Sequence, residues 1–252
     1  MSFCLGIRVE EGLIAIADTR ILSGSVCTVA RKLWVYQNGS HAMFLTTSGL
    51  RSVSDKARTY FEEIIAEQEE PFDRLYKAVN SFAEQIRRVA REDAKSLAES
   101  NLPFDVHVLV GGQFTADKQQ RMYLIYPQGN WIEIREGTPY HVIGSSGYGK
   151  PILDRTLRFE TPMKTAIKIG CLAFDSTKIS AADVDAPIDV VLYARDTFRM
   201  IERRYSSEDL QSLTNQWQEQ IRGAVERFDC PWIDPLLAEL PQAEQPPNSD
   251  YK

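Results

Sequence analysis

The hydrophobic period of this chain changes in blocks, and the order of those blocks narrows its fold more than any single motif does. Phe3, Leu5, Ile7 and Val9 alternate with Cys4, Gly6 and Arg8, the period of a strand. A turn at Glu10-Glu11-Gly12 leads into Leu13-Ile14-Ala15-Ile16-Ala17, a run apolar on both faces. Leu33 to Tyr36 and His41 to Thr47 flank Gln37-Asn38-Gly39-Ser40, and Asn-Gly is a strong hairpin signal. From Leu50 the spacing becomes helical. Val53, Ala57, Tyr60, Phe61, Ile64 and Ile65 mark one face, and after Glu69-Glu70-Pro71 a second follows at Leu75, Val79, Phe82, Ile86, Val89 and Leu97. Strand patterns return at 105–114, 121–126, 131–135 and 141–143. Helical ones follow at 148–157 and 163–175, then strands at 188–194 and 198–202. Ser206 or Ser207 is placed to cap a last helix with Leu210, Leu213, Trp217, Ile221, Ala224 and Phe228 on one side. Blocks of strands separated by blocks of helices predict an α+β fold, with helices on the outer faces of stacked antiparallel sheets, rather than a βαβ repeat.

No linker or internal repeat interrupts this order, so residues 1–228 read as one domain and 229–252 as a tail. From Leu240 the tail is rich in Pro, Gln and Glu and is expected to be mobile. The net charge is −6 and no block of Lys and Arg stands out, which argues against nucleic acid or an anionic membrane as a partner. No apolar run approaches the ~20 residues that span a bilayer. Cys4, Cys27, Cys171 and Cys230 form no paired motif, and His41, His107 and His141 stand apart from them. Neither a zinc site nor a disulfide framework is indicated, so no metal or cofactor is expected and a reducing, cytoplasmic setting is the default.

Chemistry is concentrated near the start. Removal of Met1 would leave Ser2 with a hydroxyl and a free α-amine together. An α-amine ordinarily has a pKa near 8, so it serves as a base near neutral pH and can activate the hydroxyl beside it. Asp18 breaks an apolar strand at its end, and Lys32 opens the next one in Arg31-Lys32-Leu33-Trp34. Each has a plainer reading. Serine is common after a removable methionine, Asp18 suits a turn with Arg20, and Lys32 suits a strand edge.

Taken together, Ser2, the Ala17-Asp18-Thr19-Arg20 run and Arg31-Lys32 resemble the proteasome β-subunit family of N-terminal-nucleophile hydrolases, and within it the bacterial ancestral beta subunits called Anbu. The resemblance covers about Ser2 to Arg204. It implies a four-layer α-β-β-α sandwich and makes Ser2 the nucleophile, with the Asp18–Lys32 pair beside it. Gly49, in Thr46-Thr47-Ser48-Gly49, would supply an oxyanion-binding amide. Ser145, in Gly144-Ser145-Ser146-Gly147, would bond the nucleophile's amine. The stretch to Lys32 is two residues shorter than the family's. The family's Asp-x-x-Ser-Gly element is poorly kept, with Asp175 and Ser180 as its nearest counterparts and no glycine after them. Ala30, Thr47 and Arg51 fall near the positions of the family's primary pocket, and Arg51 suits either an acidic side chain or plain solvent exposure. With no long leader before Ser2, only methionine excision is implied.

The expected activity is hydrolysis of a peptide or related amide by a self-assembled ring or lock-washer stack. The alternatives are a catalytically weak or silent shell subunit and a hydrolase of non-peptide amides. Trp232, Ile233, Leu236 and Leu237 are apolar enough to dock on a neighbouring copy.

Overall fold

The computed structural model describes residues 2–23 and 26–240. The tail expected to be mobile lies outside them beyond Leu240, as does the fate of Met1. The strands are β1 (Phe3–Val9), β2 (Gly12–Asp18), β3 (Arg20–Ser23), β4 (Val26–Val29), β5 (Leu33–Asn38) and β6 (His41–Gly49). Helices α1 (Arg51–Glu67) and α2 (Leu75–Glu99) precede β7 (Val106–Gln113), β8 (Arg121–Ile125), β9 (Trp131–Glu133) and β10 (Tyr140–Gly144). Then come α3 (Lys150–Thr156), α4 (Met163–Ser180), β11 (Ile188–Ala194), β12 (Met200–Tyr205), α5 (Ser207–Arg227) and α6 (Ile233–Ala238).

Two five-stranded antiparallel sheets form, in the orders β10-β1-β2-β11-β12 and β5-β6-β7-β8-β9, and β3 and β4 pair separately. Alternation along each strand sorts the side chains into three cores. From β1 and β2, Phe3, Leu5, Ile7, Val9, Ile14 and Ile16 join Leu153, Ile169 and Phe174 of α3 and α4. From β6 and β7, Met43, Leu45, Val106, Val108 and Val110 meet Phe61, Phe82 and Ile86 of α1 and α2. The opposite faces, with Cys4, Leu13, Ala15, Phe44, Leu109 and Met122, meet in a third core between the sheets. Helices, sheet, sheet and helices therefore make four layers, as expected. Both faces of the central strands are dry, which is why β2 reads as a continuous apolar run.

Two features depart from the sequence pattern. The β3–β4 hairpin falls where the periodicity assigns nothing, because every residue of β4 is exposed and no half-buried alternation marks it. Helix α4 runs on past Asp175 to Ser180, where one buried side chain bonds within the helix and another bonds to α5. Thr177 Oγ1 donates to the carbonyl of Ala173 at 2.8 Å, and Asp175 Oδ1 accepts from Thr214 Oγ1. The start of α5 is a reciprocal cap: Ser206 N donates to Asp209 Oδ2 at 2.7 Å and Asp209 N donates to Ser206 Oγ at 3.3 Å.

The chain divides into two compact units, one ending at Thr214 and one beginning at Asn215. Both sheets and the candidate site belong to the first. The second carries the rest of α5 and α6, with Phe228, Trp232, Leu236 and Leu237 exposed. No helix among the described residues is long and apolar enough to cross a membrane.

Candidate active site

Ser2 stands at the entry to β1 and is only 8 % exposed. Its carbonyl accepts a hydrogen bond from the Ser145 amide at 2.7 Å. Gly144 makes that approach feasible. It adopts φ +87°, and a Cβ there would sit 1.9 Å from the Ser2 carbonyl oxygen. Strand β10 pairs with β1 through Phe3 and Gly144, so the sheet register itself brings 144–145 against the N-terminal serine.

The neighbouring amide, that of Phe3, donates to Asp18 Oδ1 at 2.8 Å. Asp18 ends β2, the strand paired with β1, and is fully buried. Lys32 Nζ bonds both of its oxygens, at 2.8 and 2.9 Å, and the Arg20 carbonyl at 2.6 Å. The Arg20 amide adds a fourth hydrogen bond to the carboxylate at 3.2 Å. Burial pushes the Asp18 carboxyl above the ordinary carboxylate range, against the pull of the Lys32 ammonium and the two amides. Nearby Cys4 donates from Sγ to the Thr47 carbonyl, and burial raises its thiol to about 12. That sulfur is a packed side chain and not a competing nucleophile.

These groups open on a cleft of about 470 Å³ lined by Ser2, Lys32, Thr47, Ser48, Gly49, Arg51 and Gly144 among others. Gly49 ends β6 with φ +111°, and a Cβ there would lie 2.4 Å from the Asp105 carbonyl oxygen. Ser2, Asp18, Lys32, Gly49 and Ser145 are thus gathered at one place. The buried Ser145 Oγ has no hydrogen-bond partner among the described residues. Asp175 and Ser180 are placed elsewhere. Asp175 faces α5, with its Oδ2 unpartnered among the described residues, and Ser180 is exposed at the end of α4. Neither lines the cleft. Of the pocket positions, Thr47 and Arg51 line it, whereas Ala30 donates its amide to the Thr19 carbonyl. Arg51 is ion-paired to Asp55 at 3.0 Å.

Asp105 and His107, which are not among the residues the sequence pattern singles out, also line the cleft, with His107 Nδ1 3.2 Å from Asp105 Oδ1. The signal was present. Two polar residues spaced i, i+2 at the start of an apolar strand share one face. No group of residues suited to hold a metal ion occurs among the described residues.

A family model for proteasome subunits matches residues 2–191. An Anbu (Gly-1) mutant from Hyphomicrobium sp. strain MC1 superposes with a TM-score of 0.84 at 30% identity, over 91% of this chain and 99% of that one. Anbu (ancestral beta-subunit) from Yersinia bercovieri gives 0.83 at 28% identity, over 90% and 97%. The structure described as a helical assembly of the Anbu complex from Pseudomonas aeruginosa gives 0.85 at 30% identity, over 91% and 98%. No curated protein sequence matches the chain.

Proposed function

This chain belongs to the proteasome subunit family and is of the Anbu type, and on that basis we propose that it is a self-assembling N-terminal serine hydrolase of peptides or related amides, active once Met1 is removed. The observation that carries the proposal is the junction of Ser2 with the buried Asp18–Lys32 pair. One carboxylate fixes both the Phe3 amide, adjacent to the nucleophile, and the Lys32 ammonium. A fixed positive charge in a site largely shielded from water favours an alkoxide developing on Ser2.

The liberated α-amine takes the proton of the Ser2 hydroxyl as Oγ attacks the substrate carbonyl, and the Gly49 amide receives the oxyanion. The amine then returns the proton to the leaving nitrogen, and water activated by the same amine releases the acyl group. Ser145 Oγ, buried and without a partner among the described residues, is suited to hold that amine in place. No step calls on a metal or organic cofactor. Self-assembly rests on the likeness to the helical Anbu complex and on the exposed apolar groups of α6 and its approach.

The deciding experiment is the intact mass of the purified protein after exposure to a peptide epoxyketone, whose ring adduct needs a hydroxyl and an adjacent free amine. A single adduct on chains lacking Met1, absent from Ser2→Ala, is expected. Chains that keep Met1 and take no adduct would instead identify a silent shell subunit.

A further inference from the structure

The charges around the cleft balance unevenly. Arg31 is held by Glu202 at 2.5 Å, Lys32 by Asp18 at 2.8 Å and Arg51 by Asp55 at 3.0 Å. Each permanent cation on the lining therefore has its own carboxylate. Asp105 differs. Among the described residues its only side-chain partner is His107, whose charge is conditional on protonation. While His107 is neutral, Asp105 leaves the cleft with one uncompensated negative charge. Both side chains stay accessible, 50 % for Asp105 and 37 % for His107.

Their location follows from the strand register. Gly49 pairs with Val106 and Ser48 with His107, and the Leu50 amide donates to the Asp105 carbonyl at 2.7 Å. The backbone of Asp105 is thereby fixed beside the proposed oxyanion glycine, while its carboxylate remains half exposed. The His107 ring is steadied from behind by an edge contact with Tyr126, their centroids 6.1 Å apart.

We infer that Asp105, oriented by His107, is a specificity-determining residue that receives the positively charged side chain of a substrate, an arginine or lysine, at the rim of the cleft. This rests on the hydrolase reading for its biological meaning, but not for its physical test. A guanidinium or ammonium reaching Asp105 gains a charge-assisted hydrogen bond. An acidic side chain meets a like charge that no permanent cation offsets.

The test compares two blocked tripeptide amides, identical except for a central arginine or glutamate, by equilibrium dialysis against the full chain. The arginine peptide should bind more tightly, and Asp105→Asn should reduce that preference about tenfold, the factor that corresponds to one such bond at roughly 1.4 kcal/mol. His107→Lys, which sets a permanent cation against Asp105, should reduce it as well. Equal binding of the two peptides, or a preference that survives Asp105→Asn, overturns the assignment. Epoxyketone labelling of Ser2 is read separately. Binding selectivity without labelling would retain this site and remove the hydrolase, and labelling without selectivity would do the reverse.

Discussion

Lys32 Nζ lies 2.8 and 2.9 Å from the two carboxylate oxygens of Asp18, with both side chains withdrawn from water. Such a pair is costly to break from one side, because the survivor is left charged and buried. Lys32→Met should destabilise the chain by about 3–5 kcal/mol. Combining it with Asp18→Asn should recover a large part of that loss. Chemical denaturation of the two single variants and the double variant measures the coupling, and strictly additive losses would contradict it.

Gly144 and Gly39 both occupy positive φ, +87° and +53°, but only Gly144 is crowded. Gly39→Ala meets nothing within 4 Å and should cost only about 1–2 kcal/mol of backbone strain. Gly144→Ala must in addition displace the Ser2 carbonyl. It should abolish epoxyketone labelling while leaving the protein folded by circular dichroism. Normal labelling of Gly144→Ala would show that the Ser2–Ser145 bond does not position the nucleophile.

The thiols should react in the order of their exposure. Cys27 is exposed, whereas burial raises Cys4 to about 12 and Cys171 to about 11. Iodoacetamide at pH 8 should alkylate Cys27 in the native protein and reach Cys4 only after denaturation, as read by peptide mapping. Early modification of Cys4 would mean that the core between the sheets opens readily.

Burial, reinforced by the neighbouring His107 and Lys150, holds the His141 imidazole below its usual pKa. As pH falls below the unfolded value of about 6.5, the unfolded chain binds a proton that the folded chain resists. Stability should therefore decline from pH 7 toward pH 5.5 through this group. His141→Gln should flatten that part of the profile of melting temperature against pH. An unchanged slope would place the titration on other groups.

The apolar groups past α5 predict an effect on assembly. Trp232, Leu236 and Leu237 are 67 %, 56 % and 56 % exposed. Removing residues 229–252 should reduce the sedimentation coefficient of the assembled protein beyond the loss of mass. An unchanged assembly would locate the contacts between copies elsewhere.

The layered fold and the core of the candidate site were legible in the sequence for the same physical reason. Buried strands and amphipathic helices carry their burial in their spacing, and Ser2, Asp18 and Lys32 sit at the ends of such strands. The β3–β4 hairpin was not legible, because β3 is short and β4 is exposed along its whole length and so carries no half-buried alternation. Nor was the extent of α4. Its last turns are polar in sequence, and they are held by a tertiary bond between Asp175 and Thr214 and by a bond from Thr177 to Ala173 within the helix.

By itself the sequence determined which residue types were available and the faces on which the strands and helices place them. Only the tertiary structure decided which of them meet. Ser145 reaches Ser2 because β10 pairs with β1, and Asp105 reaches the cleft because β7 pairs with β6. Asp175, the nearest counterpart of a poorly kept element, is turned toward Thr214. Strand pairing between segments far apart in the chain is settled by the packing of whole sheets, and no local spacing records it.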